Sequence, residues 1–121
     1  MKYDHSNIFA RILRKEIPSR TVYEDDYALA FHDIAPQAPI HVLVIPKGPY
    51  VSIADFSATA SADEITGFWR AVAKVAEAED LTKDCFRLIS NSGANSGQEF
   101  PHVHVLLFGG ATLGPLLSQK L

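Results

Sequence analysis

The chain has 121 residues, 47% of them hydrophobic and 21% charged, which suits one globular domain with a real core and leaves no room for a second. The formal net charge is −3. Its basic residues are scattered and form no stripe, which argues against nucleic acid as the main partner. No apolar run is long enough to span a bilayer, so no membrane partner is expected. Charges at Lys2, Asp4, Arg11 and Arg14 interrupt the N-terminal stretch, which is therefore not read as a signal peptide. The single cysteine, Cys85, excludes an intrachain disulfide and suits a reducing compartment, and the expected location is cytoplasmic.

In chain order, Ser6 to Glu16 carries Ile8, Phe9, Ile12 and Leu13 as a one-sided stripe ending before Pro18, and this predicts a short helix. Arg11, Arg14 and Lys15 form its solvated face. Residues 20–24 and 27–32 are rich in β-branched and aromatic types and flank Asp25-Asp26, which predicts a hairpin. Asp33 to Pro39 is a loop with two prolines, and His41 to Ile45 is a nearly continuous apolar strand stopped by Pro46. The longest helix begins at Ser61, with Glu64 completing a capping box and Ile65, Phe68, Trp69, Val72, Val75 and Ala76 as its core stripe. Asp80 to Asp84 is a loop. Two further strands are expected at residues 85–90 and 102–108, with Cys85 as an inert core residue.

This order of one helix, three strands, one helix and two strands defines an α+β fold. The first three strands form an antiparallel meander, the last two are joined across a glycine loop, and the helices cover one face of the sheet. A small open sheet leaves an apolar edge, which dimerisation is one way to cover.

The chemistry concentrates in Pro101-His102-Val103-His104-Val105-Leu106-Leu107. Side chains alternate along a strand, so His102, His104 and Leu106 share one face while Val103, Val105 and Leu107 share the other. Imidazole titrates near neutrality and suits attack on phosphorus, proton transfer or metal ligation. A lone histidine here would be read as a core residue satisfied by carbonyls. The pair is read otherwise because it follows the loop Asn91-Ser92-Gly93-Ala94-Asn95-Ser96-Gly97-Gln98-Glu99, which can turn several backbone N–H groups toward a phosphate. His5 and His32 are given no catalytic role.

The stretch Gly97 to Val105 resembles the active-site strand of the histidine-triad superfamily, whose signature alternates three histidines with apolar residues. The likeness extends to Ile8–Pro18, Glu24-Asp25-Asp26 and Ala30–Lys47, and it is closest to the Hint branch of purine-nucleotide phosphoramidases. The resemblance implies a homodimer whose sheets join, and hydrolysis of nucleoside 5′-monophosphates that carry an amine or similar leaving group. It makes His104 the nucleophile that forms a nucleotidyl-histidine intermediate, with His102 a further catalytic residue of the same motif and His41 orienting and polarising the nucleophile from the neighbouring strand. It assigns ribose to Asp33, base contacts to Ile8, Phe9, Ile12, Phe31 and Ile34, and phosphate contacts to Asn91, Gly97 and Gln98. It implies no cofactor.

Three departures qualify the resemblance. Leu106 stands where the family has its third histidine, and leucine cannot donate to the phosphate or the leaving group; losing one such donor costs roughly 10²- to 10³-fold in rate. Glu99 stands where a hydroxyl residue is common, adding negative charge near the phosphate. Asn7 and Ala10 occupy positions at which some bacterial relatives hold zinc with cysteines. The expected activity is thus a weakened phosphoramidase. The alternatives are a nucleotide-binding module without turnover and a metal site built from His102, His104 and His41.

Overall fold

The computed structural model describes residues 2–116. It contains α1 (Ile8–Leu13), β1 (Thr21–Glu24), β2 (Ala28–His32), β3 (Ile40–Pro46), α2 (Ile53–Thr59), α3 (Ala62–Ala78), β4 (Arg87–Ile89), a 3₁₀ turn (Ala94–Ser96) and β5 (Val105–Gly109). The strands form one antiparallel sheet in the order β1-β2-β3-β5-β4. The expected meander and the pairing of the last two strands are both present. No helix among the described residues is long and apolar enough to cross a membrane.

The sheet is buried on both faces because β2 and β3 are apolar at nearly every position. Ala28, Ala30, Val42, Val44, Val105 and Leu107 point to one face, where they meet Phe56 of α2 and Phe68, Val72 and Val75 of α3. Leu29, Phe31, Leu43 and Ile45 point to the other, where they meet Phe9 and Ile12 of α1. The helices therefore do not all lie on one side: α1 covers the face opposite α2 and α3, and that second face carries the site.

α1 is shorter than the stripe from Ser6 to Glu16 suggested. Asn7 caps it by accepting the Ala10 N–H at 3.0 Å. It ends where Lys15 adopts φ 63°, with Lys15 N–H bonded to the Ile12 carbonyl and Glu16 N–H to the Arg11 carbonyl, a closure that continuing the helix would break. α3 starts at the predicted capping box between Ser61 and Glu64. Trp69, expected in its core stripe, is 41% exposed, and Ala71 is buried instead. α2 was not expected from the sequence.

Two further expectations fail. Cys85 is exposed, at φ 63° in the loop before β4, so it is not a core residue. β5 begins only at Val105. The histidine segment ahead of it leaves the ladder because Val103 N–H bonds to the Tyr50 carbonyl and the His102 ring to the Pro46 carbonyl. The alternation of faces survives this, since Val103 is buried with the α2–α3 core while His104 and Leu106 face α1.

Candidate active site

The site lies between α1, the β3–β5 face of the sheet and the loop that follows β4. A cavity of about 640 Å³ is lined by Phe9, Asp33, His41, Leu43, Ile89, Asn91, Asn95, Ser96, Phe100, His104 and Leu106 among others. A second, more apolar cavity of about 300 Å³ opens beside it between α1 and β2. The two share Phe9, Asp33, Leu43 and Phe100 as walls, so they form one cleft with an apolar end and a polar end.

His104 sits at the polar end, with its ring 5.0 Å from that of Phe9 and 8% exposed. Its Nδ1 is 2.8 Å from the His102 carbonyl oxygen. A carbonyl only accepts, so Nδ1 carries the proton and Nε2 keeps its lone pair. Burial lowers the pKa of His104 below the ordinary imidazole value, although the hydrogen bond to His102 opposes the shift, and the ring is neutral at physiological pH.

His102 is fully buried behind the cavity wall. Its Nε2–H donates to the Pro46 carbonyl at 2.9 Å and its Nδ1 accepts from the Tyr3 hydroxyl at 2.6 Å. Burial, with a lesser contribution from His104, holds its pKa at about 4. Both ring nitrogens are occupied and neither reaches the cavity, so His102 is a positioning residue that fixes the carbonyl which orients His104. The sequence reading gave it a catalytic role; the burial removes that.

His41 lines the same cavity at the opposite end of its polar half. Its Nδ1 accepts from Gln37 N–H at 3.2 Å, its Nε2 is 3.5 Å from Asp33 Oδ2, and its ring lies 4.3 Å from that of Phe108, its cross-strand partner. Burial lowers its pKa, partly offset by Asp33. Phe108 is four residues from His104, about 13 Å along an extended chain. His41 therefore serves Asp33 and does not touch the His104 ring, contrary to the polarising role expected. The three histidines do not converge, which leaves the metal-site alternative without a donor set.

The residues expected to contact a base lie together at the apolar end. Ile8, Phe9, Ile12, Phe31 and Ile34 all line it, with Phe9, Ile12 and Phe31 buried and Ile34 projecting 98% exposed at the rim. Asp33 lines both cavities, and its Oδ1 accepts the Ala35 N–H at 2.7 Å.

Of the residues expected at the phosphate, only Asn91 lines the larger cavity, and beside it stand Asn95 and Ser96 of the 3₁₀ turn, which the sequence did not single out. Gln98 does not face it. Its Oε1 accepts Gly93 N–H at 2.8 Å and its Nε2 donates to the Val51 and Phe100 carbonyls at 2.7 and 2.9 Å, so its whole amide clamps the loop. Gly97 supplies a left-handed residue at φ 77°, which ends the turn, and Glu99 is exposed and lines neither cavity. Leu116 also lines the larger cavity, and Arg87 donates to the Gly114 carbonyl nearby. Residues 117–121 lie outside the described residues.

The HIT domain family model matches residues 14–113. The chain belongs to the HIT domain family. A 13.2 kDa HIT-like protein of Azospirillum brasilense is 52% identical over 117 residues, covering 97% of this chain and 96% of the relative. The purine nucleoside phosphoramidase of Escherichia coli K12 is 46% identical over 114 residues, 93% of this chain and 94% of the enzyme. Among solved structures, the histidine triad protein of Clostridium difficile superposes with a TM-score of 0.84 at 37% identity, covering 97% of this chain and 100% of that one. A HIT family hydrolase of Clostridium thermocellum gives 0.85 at 36% identity, with 94% and 99% covered. The α+β fold read from the sequence is thus the HIT fold, with a third α-helix.

Proposed function

We propose that this HIT domain is a nucleotide-binding hydrolase that cleaves nucleoside 5′-phosphoramidates through a nucleotidyl-histidine intermediate on His104. One observation carries the reading: His104 commits Nδ1–H to a backbone carbonyl, which leaves Nε2 unprotonated in a ring that lines the cavity. The 46% identity to an enzyme named purine nucleoside phosphoramidase supports the substrate class.

In this reading the purine lies in the apolar end between α1 and β2, and Asp33 accepts from the ribose hydroxyls. Asn91, Asn95 and Ser96 receive the phosphate. Nε2 attacks the α-phosphorus while the leaving nitrogen takes the bond's electron pair and a proton from solvent and departs as the amine; water then cleaves the bond between phosphorus and Nε2, its proton passing to solvent, to release the nucleoside monophosphate. Splitting one displacement into two lowers each barrier, and a preset neutral tautomer spares the enzyme a proton transfer before attack. A homodimer is part of the proposal. β4 is an open sheet edge of three residues that carries the exposed Leu88 at its middle and follows the exposed Phe86, and a second copy can cover it.

The test is release of AMP from adenosine 5′-phosphoramidate by the wild-type protein and by His104→Ala. Turnover that is abolished by the substitution, with a nucleotidyl adduct trapped on His104 in the wild type, is the expected result. Leu106 favours a second reading, a binding module; AMP binding without turnover in the wild type would establish it in place of the hydrolase.

A further inference from the structure

We propose that Tyr50 is a positioning residue for His104: its side chain, moored to Glu64 in the first turn of α3, fixes the carbonyl that orients the peptide unit between His102 and Val103. The effect on the His104 ring stands whatever chemistry that ring performs, and the effect on rate rests on the nucleotidyl-His104 reading.

Two hydrogen bonds meet on that one peptide unit. Val103 N–H donates to the Tyr50 carbonyl at 2.8 Å, and the His102 carbonyl accepts the His104 Nδ1–H at 2.8 Å. An amide is planar, and in a trans peptide its N–H and C=O point in opposite directions, so an acceptor that holds the N–H also aims the C=O. A bond at the N–H polarises the C=O as well and makes it a better acceptor for the ring. His102 and Val103 are both buried, so a displaced Tyr50 carbonyl would leave the N–H without a partner.

The histidine segment depends on this acceptor because it lies outside the β-ladder, which begins only at Val105. The segment from Pro46 to Val51 takes the ladder's place. The Pro46 carbonyl accepts from the His102 ring, the Tyr50 carbonyl from Val103 N–H and the Val51 carbonyl from the Gln98 side chain.

That segment is in turn shaped by α2 and α3. Val51 N–H donates to Asp55 at 2.9 Å. The Tyr50 ring packs edge-on against Phe56 with centroids 5.2 Å apart, and its hydroxyl lies 2.8 Å from both Glu64 carboxylate oxygens. Glu64 also accepts Ser61 N–H at 3.2 Å in the capping box of α3. The Tyr50 hydroxyl holds the Glu64 carboxyl below the usual carboxylate range, so the acceptor is charged at neutral pH. Gly48 leaves room for the pair, since a Cβ there would meet the Tyr50 ring at 2.5 Å and a Glu64 oxygen at 3.0 Å. The line from α3 to His104 therefore runs through Glu64, the Tyr50 phenol, the Tyr50 carbonyl and one peptide plane.

The test is Tyr50→Phe, which keeps the ring against Phe56 and removes only the hydroxyl, read by NMR on the full chain. Ring-nitrogen chemical shifts of His104 are expected to show the Nδ1–H tautomer alone in the wild type and a mixture of tautomers in the variant. Val103 amide exchange should quicken by at least about tenfold relative to Val105. With adenosine 5′-phosphoramidate, kcat should fall by roughly tenfold while KM changes little. Glu64→Gln keeps an acceptor for Ser61 N–H but makes it neutral, so a smaller change of the same kind is expected, and this variant decides should Tyr50→Phe fail to fold. An unchanged His104 tautomer, whatever happens to the unfolding midpoint, would make the clamp merely structural and overturn the proposal. Absence of turnover in the wild type overturns the hydrolase reading instead, and the ring-nitrogen shifts still decide the role of Tyr50.

Discussion

The Nδ1–H of His104 points at the carbonyl oxygen of His102, 2.8 Å away and two residues back along the same chain segment. This bond ties the tautomer of the His104 ring to the backbone, and burial adds a preference for the neutral form. The acid limb of kcat/KM reports protonation of the free enzyme's nucleophile. Its midpoint is expected below 6.5, the ordinary imidazole value, and a profile between pH 4 and 8 measures it. A limb at or above 6.5 would contradict the placement of His104 in a desolvated site.

Tyr3 controls the same geometry from one step further away, since its hydroxyl is the donor to His102 Nδ1 at 2.6 Å. Tyr3→Phe leaves that buried acceptor unpaired, at a cost of about 1–3 kcal/mol. Urea unfolding is expected to show the loss. At pH 7 the variant should also lose kcat more than KM, because the phenol does not line the substrate cleft but steadies the carbonyl that aims His104.

His102 makes stability depend on pH. Its pKa in the folded protein, about 4, lies below its unfolded value near 6.5, so the unfolded chain binds more protons between the two. Stability from this group is complete above pH 6.5 and is lost as pH falls toward 4, by up to about 3 kcal/mol at 1.36 kcal/mol per unit. Chemical denaturation at pH 7 and pH 4.5 tests this, and His102→Asn should flatten the difference. Equal slopes for wild type and variant would assign the acid sensitivity to other groups.

Gln98 holds the loop that carries Asn95 and Ser96 to the cavity through three hydrogen bonds to backbone. Gln98→Ala is expected to weaken AMP binding by about tenfold, in line with losing one or two net hydrogen bonds' worth of order. Calorimetric titration measures this, and inorganic phosphate binding should weaken alongside it. A Gln98→Ala variant with unchanged affinity would mean that the 3₁₀ turn keeps its shape unaided.

Asp33→Asn should lower affinity for AMP by roughly tenfold or more, the scale of one charged hydrogen bond. The loss for 2′-deoxy-AMP is expected to be smaller if, as proposed, the carboxylate serves both ribose hydroxyls. Competition binding with the two nucleotides reads the ratio directly, and an unchanged ratio would remove Asp33 from ribose recognition.

Much of this was visible in the chain itself, and the failures have physical causes. Strand alternation placed His104 and Leu106 on one face because that period is set by backbone geometry. The capping box at Ser61 was legible because both of its partners are three residues apart. α2 was not, because its seven residues bury only Phe56 and give no repeat to detect. Its signal was Ser52 followed three residues on by Asp55: the serine hydroxyl accepts Asp55 N–H and the carboxylate accepts Val51 N–H. The roles of Gln98 and His102 were misread because a polar side chain's partners are set by tertiary folding. Gln98 reaches back 47 residues to Val51, and His102 reaches 56 residues to Pro46.

The bond between Tyr3 and His102 joins residues separated by 99 positions in the chain. Such a closure is entropically expensive and comes late, after nearer contacts have shortened the effective loop. Stopped-flow refolding should therefore recover the core fluorescence of the sheet before it recovers nucleotide binding. A chain leaving the ribosome would complete its hydrophobic layers first and become competent for chemistry only when its two distant segments meet.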